Sequence, residues 1–226
     1  MKKLLNYLSP FEWGLWLTSV AAIAISFTFG GAFHILTLIA SLLGVTALIF
    51  IAKGNVLGQY LIIVFSILYA IVSYEQRYFG EMITYVGMSL PSAVVACVTW
   101  LKNPVEGKKS EVKIATMTGK KWTAVSIAAL LVTIIFYFIL AALHTNNLIV
   151  STVSVTTSFF ASMLLILRSP YYAVAYAAND IVLIALWTAS SFVSLAYLPM
   201  VVCFLAFLAN DLYGFYSWKK RQKTQL

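Results

Sequence analysis

One apolar stretch of this chain carries an aspartate, an asparagine and three aromatic residues at helical spacing, a combination that can hold a small flat ligand inside a membrane. It runs over about 170–190 and contains Tyr172, Tyr176, Asn179, Asp180, Leu183 and Trp187. Steps of three, four and seven residues put these side chains on one helical face. Tyr176 and Trp187 offer rings for stacking, and Asn179 with Asp180 offers hydrogen bonds. Asp180 is ten residues beyond Pro170, which at 1.5 Å per residue is about 15 Å into the bilayer, near its centre. A carboxylate there costs about 2.5–3.5 kcal/mol on insertion scales, and such residues face a bundle interior or a watery cavity. The structural alternative is that Asn179 and Asp180 bond to Ser or Thr of a neighbouring helix and lock the bundle.

Other stretches offer weaker polar faces. Glu81, Thr84, Tyr85, Met88 and Ser92 fall at helical spacing, with Glu81 close enough to one end to snorkel to the surface. Gln59, Ser66 and Ser73 recur every seven residues, and Ser151, Ser154, Ser158 and Ser162 accompany Thr157. Small hydroxyl residues of this kind serve close packing more often than ligand contact, and Gly54 with Gly58 fits a small-xxx-small packing pair. Asn210-Asp211 repeats the Asn-Asp dipeptide. Asp211 is placed to gate the site or, as the cheaper reading, to pair with Arg168 or Lys53. The candidate binding residues are therefore Asp180, Asn179, Tyr176, Trp187, Gln59, Glu81 and Tyr85, with Asn210 and Asp211 as gate or structural pair.

The elements that must position these residues are membrane helices. Eight stretches, at roughly 12–30, 32–52, 55–74, 79–101, 122–143, 147–167, 170–190 and 195–218, have the length of about 20 apolar residues that a span requires. Threading them back and forth puts Lys2, Lys3, Lys53, Lys102, Lys108, Lys109, Lys113, Lys120, Lys121, Arg168, Lys219, Lys220, Arg221 and Lys223 on one side and leaves Arg77 on the other. Positive residues are retained in the cytoplasm during insertion, so both termini and the 102–121 loop are expected there. The turn at His144-Thr145-Asn146-Asn147 is expected outside. With 62% hydrophobic and 10% charged residues the chain lies far from soluble composition. Its net charge of +8 is a topology signal spread over helix ends, which disfavours nucleic-acid binding.

The start, Met1-Lys2-Lys3-Leu4-Leu5, resembles a signal peptide faintly, but Glu12 interrupts the apolar run and no small-x-small cleavage site follows, so the first helix is expected to stay. Cys97 and Cys203 lie within spans and lack metal-ligand spacing, and imply neither a disulfide nor redox chemistry. There is no Gly-x-x-x-x-Gly-Lys-Ser/Thr loop and no His-Glu-x-x-His, and the two histidines, His34 and His144, lie far apart. No catalytic site, cofactor or metal is expected, and direct ATP-driven pumping is disfavoured.

The single long polar segment, 102–121, divides the chain near its middle. Each side shows a basic residue, two apolar helices and an aromatic-basic exit, with 47 positions from Lys53 to Trp100 and 50 from Arg168 to Trp218. Duplication of 32–101 as 147–218, with 122–143 as an odd linker helix and 12–30 as an N-terminal addition, would run both copies in the same sense. Parallel repeats of this sort occur among secondary transporters, with substrate held near the midplane between them.

Four segments resemble the PnuC family of nicotinamide riboside transporters: Ala52-Lys53-Gly54-Asn55-Val56-Leu57-Gly58-Gln59, Tyr78-Phe79-Gly80-Glu81-Met82-Ile83-Thr84-Tyr85, Trp100-Leu101-Lys102-Asn103-Pro104 and Asn210-Asp211-Leu212-Tyr213-Gly214-Phe215. The resemblance covers nearly the whole chain. It implies an all-α membrane protein with a SWEET-like three-plus-one-plus-three core, facilitated uptake of nicotinamide riboside, trapping by a cytoplasmic kinase, and a homotrimer. One motif departs from the family. Where many members read Trp-x-x-Trp-x-x-x-Asn, this chain reads Ala173-Val174-Ala175-Tyr176-Ala177-Ala178-Asn179-Asp180, and one aromatic is lost in either alignment of the asparagine. Thiamine, riboflavin and deoxynucleosides, associated with relatives of the family, therefore stand as alternative substrates.

Overall fold

Ser9, Pro10 and Glu12 start the first helix. Proline suits the first helical position, where its missing N–H is not needed. Ser9 N–H donates to Glu12 Oε2 at 2.7 Å and Glu12 N–H donates to Ser9 Oγ at 3.3 Å, a reciprocal capping box. The carboxylate that interrupts the apolar run is thus a helix-start signal. It also docks the helix, because Lys53 Nζ lies 2.9 Å from Glu12 Oε2 and Tyr213 O–H donates to Glu12 Oε1 at 2.8 Å.

The computed structural model describes residues 7–29, 35–75, 79–145 and 147–225, apart from the side chains of 29, 75 and 79–81. Lys2, Lys3, His34, Arg77 and Asn146 of the sequence argument lie outside the described residues, and Glu81 is described by its backbone alone. The helices are α1 (Pro10–Phe29), α2 (Ile35–Ala52), α3 (Leu57–Glu75), α4 (Phe79–Thr84), α5 (Leu90–Lys102), α6 (Gly119–Ala142), α7 (Leu148–Ile166), α8 (Tyr172–Ser191) and α9 (Leu198–Gln225). A π-helical turn, Tyr85–Ser89, joins α4 to α5 in one span, and a 3-10 turn, Leu195–Tyr197, precedes α9. Among the described residues eight helical spans are long and apolar enough to cross a membrane, the number expected from the charge threading. Helix boundaries shift by a few residues, as where α6 starts three residues before the expected 122, and most at α9, which runs seven beyond 218.

Six spans close a ring. Around it α2 touches α3, α3 touches α5, α5 touches α7, α7 touches α8, α8 touches α9, and α9 returns to α2. Helix α1 lies outside this ring against α2 and α9, and α6 lies outside it against α7. Leu130 and Phe138 of α6 are 60% and 66% exposed, as a helix that is apolar all round must be when most of it faces lipid.

The ring is tightest where α2 meets α3. A Cβ at Gly58 would sit 2.8 Å from both the Ala47 carbonyl oxygen and the Ile51 nitrogen, so only glycine permits this approach. Gly54 differs from its expected packing role. Its φ of +68° makes it the left-handed turn residue between α2 and α3.

The segment expected to be a plain loop is structured. Strands β1 (Pro104–Val105) and β2 (Lys108–Val112) form an antiparallel hairpin, and the chain after it is strapped across the two halves. Val112 N–H donates to Gly54 O and Ala115 N–H donates to Arg168 O, both at 2.9 Å. The end of α9 grips the same strap, with Ile114 N–H donating to Gln225 Oε1 at 2.8 Å and Arg221 Nη1 lying 2.8 Å from Glu111 Oε2. Hydrogen bonding of this kind is invisible to hydropathy, which sees only a short polar segment.

Replacing Gly58 with Ala should destabilise the protein by roughly 1–3 kcal/mol, because backbone cannot yield as a flexible side chain would. Thermal melting in detergent should show a lowered midpoint. An unchanged midpoint would mean that α2 and α3 separate freely.

Candidate functional site

Polar side chains from α3, α7, α8, α9 and the π-helical turn meet at a central cavity. The heptad residues Gln59 and Ser66 come from α3, Tyr85 and Ser89 from the π turn, and Tyr172, Tyr176, Asn179 and Asp180 from α8. Helix α9 adds Phe204, Phe207 and Asp211, at steps of three and four along one face. Apolar residues Leu48, Ile51, Ile62, Phe65, Leu165 and Leu183 complete the wall. No Lys or Arg is among the residues that line it.

Four buried polar atoms at this cavity have no hydrogen-bond partner among the described residues: Gln59 Oε1 and Nε2, Ser66 Oγ and Asp180 Oδ2. Gln59 is fully buried and Asp180 is 3% exposed. An unsatisfied buried polar atom costs about 1–3 kcal/mol, so a wall that gathers four of them is built for something other than stability. The remaining polar groups are held in place by neighbours. Asn179 Oδ1 accepts from Thr157 Oγ1 at 2.8 Å and from Ser154 Oγ at 3.2 Å, and Tyr176 and Ser162 share a hydrogen bond of 2.8 Å. Asn179 thus bonds to a Ser and a Thr of the neighbouring helix α7. Asp180 instead lines the cavity together with Asp211 of α9.

Asp211 corrects the sequence argument. It pairs with neither Lys53, which is held by Glu12, nor Arg168, whose Nη1 donates to Lys113 O at 3.2 Å. One helical face carries Phe204, Phe207 and Asp211 into the cavity, and that spacing was a signal available in the sequence. Asn210 points elsewhere: its Nδ2 donates to Ala206 O at 2.8 Å and to Ser19 Oγ at 3.1 Å, tying α9 to α1. Trp187 is not among the lining residues and packs on Tyr197, with ring centroids 5.6 Å apart. The expected face of α4 is also reshaped, since the π turn adds residues to the helical repeat just where Tyr85 and Ser89 reach the cavity.

The two ends of the cavity differ. Towards the face that carries the basic loop, the lining residue Tyr172 packs on Trp218, which packs on Trp100; each is no more than 1% exposed, with Trp218 centred 4.7 Å from Tyr172 and 5.5 Å from Trp100. The two exit tryptophans are fixed reciprocally. Trp100 Nε1 donates to Leu165 O at 3.3 Å, and Trp218 Nε1 donates to Ile51 O at 2.8 Å, so each ends one half of the ring and bonds the first helix of the other. Towards the opposite face a second cavity adjoins the first, reaching Thr145 and Ser151. Tyr85, Ser89, Ser158, Leu183 and Phe204 line both.

A cavity with buried, unpartnered polar atoms inside a ring of membrane spans fits a polytopic membrane transporter. The family described as nicotinamide mononucleotide transporter matches residues 34–220, and the chain belongs to that family, the PnuC proteins. The chain is 28% identical over 190 residues to the nicotinamide riboside transporter PnuC of Neisseria mucosa, covering 82% of this chain and 72% of the relative. It is 25% identical over 189 residues to the nicotinamide riboside transporter PnuC of Haemophilus influenzae, covering 83% and 80%. Its fold is similar to the crystal structure of the vitamin B3 transporter PnuC, with a TM-score of 0.82 and 26% identity over 97% of this chain and 94% of that one.

Gln59 yields a test that separates function from stability. Replacing it with Met keeps the length of the side chain and removes two unsatisfied buried atoms, so the substrate-free protein should melt higher, by about 1–3 kcal/mol of added stability. A lowered midpoint would mean that the amide is satisfied within the fold.

Proposed function

We propose that this transporter carries nicotinamide riboside into the cell by facilitated diffusion, with phosphorylation by a cytoplasmic kinase trapping the substrate. The observation that carries this reading is the pairing of carboxyls with aromatic rings in a cavity without Lys or Arg. The pyridinium ring of the riboside is a flat cation, favoured by a nearby carboxylate through Coulomb attraction and by aromatic faces through stacking. The mononucleotide named in the family description adds a phosphate, which binds best to Arg forks, Lys or helix N-termini. The riboside named for the relatives fits the wall better.

Within this reading, Asp180 and Asp211 face the ring charge and Tyr176 with Tyr85 stacks on the ring. The amide of Gln59, which has both a free donor and a free acceptor, complements a carboxamide, and Asn179 stands beside the ribose. Glu81, four positions before Tyr85 on the same span, belongs to the entry route. Trp187 supports Tyr197 at the outer rim. The two ring halves act as parallel repeats, 32–101 and 147–218, and exchange access by parting at the reciprocal tryptophan bonds. The basic loop and both termini are cytoplasmic, as the positive-inside rule requires of fourteen basic residues on one face. The working assembly is a homotrimer.

Proteoliposomes tested with labelled nicotinamide riboside, nicotinamide mononucleotide, thiamine, riboflavin and deoxynucleosides should take up the riboside and show counterflow without ATP or an ion gradient. Preference for the mononucleotide would overturn the phosphate argument, and preference for thiamine, also a cation, would move the assignment to that vitamin. Tyr176→Ala should weaken riboside binding about tenfold, the loss of roughly 1–2 kcal/mol of stacking, while Tyr176→Phe should not. Topology is checked independently by single cysteines at Lys109 and Thr145 in a background lacking Cys97 and Cys203. An impermeant thiol reagent outside intact cells should label position 145 and spare position 109.

A further inference from the structure

The only two aspartates of the chain, Asp180 on α8 and Asp211 on α9, meet in the cavity wall. Both carboxyls line this one cavity from adjacent helices, and Asp180 is 3% and Asp211 4% exposed. Two like charges buried at one cavity disfavour each other's ionisation, so one proton is held between the two carboxyls. A second negative charge would also have no counter-ion nearby, because Lys53 serves Glu12, Arg168 reaches Lys113 O, and the wall holds no base. The other titratable groups at the pair are Tyr172 and Tyr176 on α8, Cys203 on α9 and Tyr85 on the π turn, phenols and a thiol that are neutral near pH 7. The walls from α2, α3, α5 and α7 present no titratable side chain. Asp180 Oδ2 and both amide atoms of Gln59, buried and unpartnered on the same wall, mark the place as a ligand site independently of the acidic pair.

We propose that Asp180 and Asp211 act as one unit of charge −1 around a single shared proton, and that this unit, with Asp211 as much as Asp180, sets the selectivity of the site for a singly charged cation. The inference rests on the cavity being the site of a flat cationic substrate. A monocation brings such a site to neutrality, which a low-dielectric interior favours over any residual charge. A neutral ligand leaves the unit unpaired, and a dication leaves an excess positive charge. On acidification a second proton neutralises the pair and removes the attraction.

The unit predicts an unusual mutational pattern. An Asn at either position places an amide N–H where the shared proton was, so the single negative charge survives. Only the double replacement abolishes the charge.

The test compares nicotinamide riboside with its uncharged carbon-linked isostere, benzamide riboside, in binding to detergent-solubilised wild type, Asp180→Asn, Asp211→Asn and the double variant. The wild type should prefer the cation, and each single variant should keep that preference within about threefold. The double variant should lose about tenfold or more of riboside affinity while binding benzamide riboside as before. Loss of the preference in either single variant as complete as in the double variant would overturn the shared unit, and so would its survival in the double variant. If the double variant does not fold, the wild type decides alone: riboside affinity should fall about tenfold per pH unit once the pair is neutralised, with the isostere unaffected. A flat riboside profile from neutral to acid overturns the proposal. Equal wild-type binding of both probes overturns the charge selectivity and leaves the riboside assignment standing, whereas binding of neither overturns both.

Discussion

A carboxyl group near the bilayer midplane cannot be left to hydrocarbon, and two of them in this chain are buried at one cavity. Their placement requires a polar volume enclosed by protein. Six spans close around that volume, and the two remaining spans lie outside it against lipid. The polar wall then extends from the pair to Gln59, Ser66, Tyr176 and Asn179, each from an element that the ring brings to the same level. The cost of leaving four buried atoms without protein partners falls on the empty protein. A substrate that satisfies them recovers it, as expected of a site shaped for binding.

The basic face supplies the mechanical counterpart. Reciprocal tryptophan bonds tie the last helix of each half to the first helix of the other, directly beneath the cavity. The strap after the hairpin ties the same helix ends together from outside, through Gly54 O and Arg168 O. Closure on this side therefore depends on a few backbone carbonyls at the ends of α2 and α7. On the opposite side the adjoining second cavity and the π turn replace that seal with a looser wall, and a π turn is a common feature of functional sites.

The helix count, the buried face of α8 and the polar heptad of α3 were legible because each follows from periodicity and charge, properties that a single segment carries alone. What escaped the sequence argument depends on contacts between segments. Asp211 was assigned a basic partner because Lys53 and Arg168 lie at the same end of the bundle, but Glu12 takes the first and the Lys113 carbonyl the second. Glu12 read as an interruption of an apolar run, and is a capping residue with two tertiary partners. Trp187 belongs to the correct face of α8 yet lies one turn beyond the cavity, against a 3-10 turn with no periodic signature. The π turn shifted the face carrying Tyr85 and Ser89, because a single inserted residue leaves no mark on composition.

The shared proton between Asp180 and Asp211 is the claim on which the cation-selective reading turns, and infrared difference spectroscopy observes it directly. Addition of nicotinamide riboside to the wild-type protein should perturb the C=O stretch of a protonated carboxyl, and that band should be missing from both Asp180→Asn and Asp211→Asn. A wild-type spectrum without a protonated-carboxyl band, or a band that persists in either single variant, would contradict the account.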